Sequence, residues 1–251
     1  MKIQFQLREN MWQADLSAPI DLSIPLKSGM ENPNCFWAPV PDFSPVTAGD
    51  FIGSTAQGGV VNFFNVRFNP HGNGTHTECV GHISKEQYVL QECLKTHHFA
   101  AQLVSLFPRK TDNGDRVIFR DQLEETLTTA GVKALITRTL PNDDLKKRTN
   151  YSGSNPPYLH HEAVSFLVEK GIEHLLLDLP SVDREEDGGA LLAHRAFWRY
   201  PEAIRTHCTI TEMIYVPNEV KDGLYLLNLQ TASFDLDASP SKPVIYNAKQ
   251  I

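Results

Sequence analysis

The sequence predicts a mixed α/β (α+β) fold in which helices pack against a mixed sheet. Three observations predict it. Two successive segments run from a helix-type stretch through a glycine into an apolar strand-type run: 121–130, Gly131 and 132–138, then 159–170, Gly171 and 172–179. Further strand-like runs follow at 208–216 (CTITEMIYV), 224–229 (LYLLNL) and 242–247 (KPVIYN). No linker separates two cores, so residues 1–251 read as one domain.

In chain order, PIDLSIPL at 19–26 predicts a short strand ending at Pro25. Residues 27–50 are rich in Pro, Gly, Asn and Asp and read as a long loop. Its Phe36, Trp37 and Phe43 either serve a function there or plug the loop onto the core. The β-branched and aromatic run 60–68 reads as a strand, and 99–107 as another. Between 99–107 and the first helix, 109–116 reads as a turn and exposed connection. The glycine-stopped helices and the strands behind them complete the pattern of helices covering a sheet.

Composition excludes some classes. The formal net charge of -7 argues against nonspecific nucleic-acid binding, which relies on basic patches. No run approaches the roughly eighteen apolar residues of a membrane span. The N-terminus has no continuous apolar core of a targeting signal, so the expected location is cytoplasmic. The four cysteines, Cys35, Cys79, Cys93 and Cys208, form no CxxC pair and read as reduced thiols.

The chemistry concentrates between His71 and His82, where three histidines and Glu78 fall within twelve residues. An extended 76–82 segment would put His76, Glu78 and His82 on one face. His71 has the opposite parity, but Gly72, Asn73 and Gly74 permit a turn that returns it. Imidazoles and a carboxylate together suit zinc or another divalent ion. The competing reading is a polar surface hairpin. Thr75 and Thr77 would point away and hold the segment by hydrogen bonds. Downstream, Asp178 and Asp183 lie after a buried strand, where a carboxylate either faces a ligand or caps the next element; capping suits Asp183 better. His194 follows, and Glu212 lies in an apolar stretch where a carboxylate needs a partner or a metal. His160 and His161 read as surface or capping residues. No GxSxG or HExxH motif occurs.

At these residues the chain resembles the cyclase and kynurenine-formamidase-like family of metal hydrolases. Its motif is His-x-Gly-Thr-His-x-Asp-x-Pro-x-His. Gly74-Thr75-His76 matches the centre, Glu78 stands for the Asp and His82 for the last His. DLSIPL (21–26) and LLLDLPSVDRE (175–185) resemble two further family segments, and His194 and Glu212 its distal metal-binding pair. The resemblance covers roughly residues 19–235. The chain departs from the pattern in four ways. His71 stands five residues before His76 rather than four, with Gly72 at the expected place; Glu replaces Asp; Cys79 and Val80 replace Ala and Pro; and eighteen positions separate His194 from Glu212. Cys79 is expected to pack in the core.

The resemblance implies a swivelling β/β/α cyclase-like domain and a homodimer or homotetramer. It implies metal ligands His71, His76, Glu78, His194 and Glu212, with Glu78 bridging two ions, zinc first and manganese second. Metal-activated hydroxide would attack a small amide, formamide, lactam or lactone, and His82 would be the catalytic proton-transfer group. Family members include enzymes that open N-formylkynurenine. The alternative is a noncatalytic metal or small-molecule binding protein on the same scaffold. Neither nucleic acid nor membrane is an expected partner.

Overall fold

The computed structural model describes residues 1–251. Its centre is a ten-stranded sheet. The strands are β1 (Lys2–Leu7), β2 (Asn10–Asp15), β3 (Ile20–Asp21), β4 (His76–Glu78) and β5 (His98–Leu106). They continue with β6 (Ala134–Thr139), β7 (His174–Leu177), β8 (Thr209–Glu212), β9 (Gly223–Thr231) and β10 (Ala238–Gln250). Three helices, α1 (Arg120–Thr126), α2 (His161–Glu169) and α3 (Leu192–Trp198), lie in the crossovers between β5 and β6, β6 and β7, and β7 and β8.

Strands β5 to β8 are parallel neighbours. The antiparallel order then runs from β8 through β4 to β10 and β9 and back to β5, closing the sheet into a barrel. Hairpin β1–β2 and strand β3 extend it from β10.

The two faces follow the strand period of two. Leu135, Leu175, Leu177 and Ile210 turn outward to a core shared with Leu123 of α1, Val164 and Leu167 of α2, and Phe197 and Trp198 of α3. Ala134, Ile136 and Leu176 turn inward to a second core with Leu103, Leu227 and Ile245. Each of these large side chains is fully shielded, worth about 2 kcal/mol apiece in removed apolar surface.

The expected helix–glycine–strand units are present, with trimmed ends. Gly171 (φ 81°) closes α2: its N–H meets Val168 O, and that of Ile172 meets Leu167 O. Helix α1 instead ends at Thr126, and Gly131 serves the turn into β6. The strand expected at 19–26 pairs only at Ile20–Asp21, and the one at 60–68 only at Phe64–Arg67, which joins Asp42–Pro45 in a small ribbon. The connection 109–116 contains the short strand Arg109–Lys110, which pairs with Arg116–Ile118.

Two elements carried no local signal. Hairpin β1–β2 turns through Arg8 (φ 54°) and Glu9, without the Asn-Gly or Asp-Gly pair usual at such turns. Helix α3 starts after Leu191 in the left-handed region, with no side-chain cap from its own neighbours. No helix is long and apolar enough to cross a membrane.

Candidate metal centre

Strand β4 sits between β8 and β10, with His76 opposite Glu212 and Glu78 opposite Ile210. Paired residues share a face, so His76, Glu78 and Glu212 point together to the helix side of the sheet, where α3 presents His194. Thr77 points the other way and bonds Thr211 Oγ1 at 2.7 Å. Thr75 donates to Met213 O at 2.6 Å and accepts from Ile24 N–H, pinning the strand as the alternation implied.

The extended stretch stops at Glu78. A 3₁₀ turn over Val80–His82 brings His82 back to the same site, so its place arises from a turn rather than from strand parity. His71 arrives through the turn before β4. A side chain at Gly72 would meet Ala38 Cβ at 2.2 Å, so no histidine fits there, and the imidazole is carried one residue earlier.

All the expected site residues meet. His71 Nδ1 lies 3.0 Å from Glu78 Oε2, and His194 Nε2 lies 3.2 Å from Glu78 Oε1. His76 Nε2 is 3.5 Å from Glu212 Oε2. His82 stacks on His71 with ring centroids 4.3 Å apart, and its Nδ1 lies 3.8 Å from Glu78 Oε2.

Asp237, which no sequence signal marked, lies 2.8 Å from His71 Nε2 and 3.8 Å from His82 Nδ1. It stands in the loop between β9 and β10, and only the β4–β10 pairing brings it here. Glu78, His76, His194 and Glu212 are buried, whereas His71, His82 and Asp237 are partly open and form the mouth.

The outward ring nitrogens are anchored. His76 Nδ1–H donates to Gly74 O at 3.1 Å, and His194 Nδ1–H to Asp183 Oδ2 at 2.7 Å. Asp183 also accepts the backbone N–H groups of Ala193 and His194, so it caps α3 from a distance as well as holding the ring. Asp178 serves elsewhere: it ties Thr139 to Lys146 Nζ, 2.7 Å away. His160 caps α2, and Cys79 is buried in the inner core.

The electrostatics demand positive charge. Burial opposes a charged imidazole at His71, but Asp237 and Glu78 outweigh it and lift the ring to about 10. At His194 burial is likewise overcome by Asp183 and Glu78, again to about 10. Burial also works against ionised Glu78, yet His82, His194 and His71 hold it well below the usual carboxylate range. Glu212 is pushed up by burial and by Glu78. His82 is pushed down, first by burial.

A divalent cation fits this set. The buried His76 Nε2 has no hydrogen-bond partner. Donor atoms of His71, His76 and Glu78 lie within 4.8 Å of one another, as do those of Glu78, His82 and His194, and of His71, His82 and Asp237. Glu212 adds its carboxylate beside His76. Nitrogen and carboxylate donors of this kind suit a divalent metal, and a cation there would satisfy charge now met by protons.

The Cyclase family model matches residues 20–184. Kynurenine formamidase of Bacillus cereus is 27% identical over 191 residues, spanning 75% of this chain and 82% of that enzyme. Kynurenine formamidase of Bacillus anthracis is 26% identical over 228 residues, spanning 90% and 96%. A solved structure described as a potential metal-dependent hydrolase with cyclase activity aligns with TM-score 0.66 at 15% identity, over 91% of this chain and 97% of that one. An isatin hydrolase bound to the product analogue thioisatinate aligns with TM-score 0.65 at 14% identity, over 92% of each. At such identities the structural likeness speaks to the fold alone.

Proposed function

This chain belongs to the Cyclase family; from that premise we propose that it is a metal-dependent hydrolase of a small nonpeptide amide, formamide, lactam or lactone. The observation that carries the proposal is the arrangement of His76 and His194. Each has its outer nitrogen anchored and its inner nitrogen directed at Glu212 or Glu78. His71, His76, Glu78, His194 and Glu212 are the proposed metal ligands. The two oxygens of Glu78, one beside His71 and one beside His194, suit a carboxylate shared by two ions. Zinc is the first candidate and manganese the second.

When bound, a divalent ion supplies Lewis acidity that polarises a carbonyl and makes water acidic near neutral pH. The protein's own residues do the rest. Gly74 O and Asp183 hold His76 and His194 with their Nε2 atoms facing inward. His82 stands at the mouth, about a third exposed and pushed below the ordinary imidazole range by burial. Burial thus favours the neutral ring, which would take a proton from the attacking water and deliver it to the departing nitrogen or oxygen.

The setting follows from other features. Four buried, unpaired cysteines suit a reducing, cytoplasmic environment. Trp37, Val60, Phe63, Phe64 and Val66 leave their side chains exposed, Val60 to 87%. Apolar surface of this kind suits a homodimer or homotetramer.

The test is turnover of N-formylkynurenine, isatin and a panel of lactams and lactones by protein loaded with zinc or manganese. Chelation should abolish activity and readdition restore it. Metal binding without turnover of any member would favour a noncatalytic binding protein. Absence of metal binding would sink both readings.

A further inference from the structure

We propose that Asp237 is a positioning residue of the metal centre: by accepting the Nε2–H of His71 it commits that ring to meet the ion through Nδ1. The inference rests on His71 being a ligand, as proposed above.

Position 72 has no room for a side chain, so the ring comes from position 71. It lies edge-on to His76 at 5.5 Å between centroids and stacked on His82. The other two buried imidazoles have acceptors for their outer nitrogens in Gly74 O and Asp183. His71 has no such partner from its own turn. Asp237 supplies it at 2.8 Å, leaving Nδ1 toward Glu78 at 3.0 Å. A carboxylate behind a metal-binding imidazole fixes its tautomer and strengthens it as a donor.

Asp237 is itself rigidly held. Its carbonyl accepts Cys79 N–H at 3.0 Å, and Ala238 pairs with Glu78 across β4 and β10. The strand that carries Glu78 therefore also fixes the carboxylate that orients His71. His71 then differs from His76 and His194, which face the site through Nε2.

The experiment compares wild type with Asp237→Ala, Asp237→Asn and His71→Ala. Zinc affinity is read by competition with a chromophoric chelator, and ions per chain by elemental analysis. The His71 tautomer in zinc-loaded protein is read by nitrogen-15 NMR. Asp237→Ala should weaken zinc about 10–100-fold with the number of ions unchanged, and should lose the defined Nε2–H state of His71. Asp237→Asn keeps an acceptor oxygen and should recover most of the affinity and the tautomer. Wild-type affinity or an unchanged tautomer in Asp237→Ala overturns the proposal. Loss of a whole ion from Asp237→Ala also overturns it, by making Asp237 a ligand. Wild-type affinity in His71→Ala removes His71 from the ligand set, a separate failure that takes the proposal with it.

Discussion

The carboxylate of Asp183 lies 2.7 Å from His194 Nδ1 and accepts the backbone N–H of the same residue at 3.1 Å. One side chain thus sets both where α3 begins and how its imidazole points. The same carboxylate takes Ala193 N–H at 2.8 Å, filling the role that Leu191 leaves open.

Asp183→Ala should therefore damage two properties together. Loss of the cap should cost about 1 kcal/mol of stability, and loss of the ring's anchor should weaken zinc binding about 10–100-fold. Thermal melting of metal-free protein and chelator competition measure the two separately. Unchanged zinc affinity would leave Asp183 as a cap alone.

His82 should separate turnover from metal content. His82→Asn should lower kcat about 100–10,000-fold, the range for lost proton transfer, while bound metal stays near the wild-type level. Equal loss of metal and turnover would reassign His82 as a ligand.

Acid should destabilise the fold through His174. Burial, then the charges of His207, Arg205 and Lys133, push this ring down from 6.5 to about 3. The unfolded chain therefore binds a proton across that window that the folded chain refuses. Stability present above pH 6.5 is lost as the pH falls toward 3, by about 2 kcal/mol already at pH 5. A His174→Gln variant should show a shallower loss of melting temperature between pH 7 and 5. An identical slope would remove His174 as the cause.

Gly81 is demanded by close approach. A methyl there would meet Tyr88 O at 2.3 Å and Asp237 Cβ at 2.8 Å. Gly81→Ala should cost about 1–3 kcal/mol by overpacking and, by moving Asp237, should also weaken metal binding. Denaturant midpoints and zinc competition test both effects. Wild-type behaviour in both would show that the turn yields freely.

Much of the fold was legible because periodicity reports burial. Residues 134–139 and 174–177 are strands with every residue buried, as expected of parallel strands covered on both faces, and Gly171 stops α2 where local chemistry says it should. Helix α3 was not legible, because its cap lies eight positions before Leu191 in Asp183 and reaches it only through the folded loop. Hairpin β1–β2 was missed because Arg8 takes a conformation that its residue type does not advertise. At the site, the strand alternation correctly separated His76 and Glu78 from Thr77, but the extension of that pattern to His82 failed where the 3₁₀ turn intervenes.

By itself, then, the sequence determined which donors exist and that most of them cluster near His71–His82, since residue type and spacing along one strand are local properties. Only the tertiary structure decided how they meet. The closure of β4 between β8 and β10 places Glu212 opposite His76 and brings Asp237 to His71 across 166 positions of chain. The packing of Ala38 against Gly72 decides that the leading imidazole belongs to His71. Both outcomes depend on contacts between distant segments, which strand pairing and steric exclusion select and local sequence does not encode.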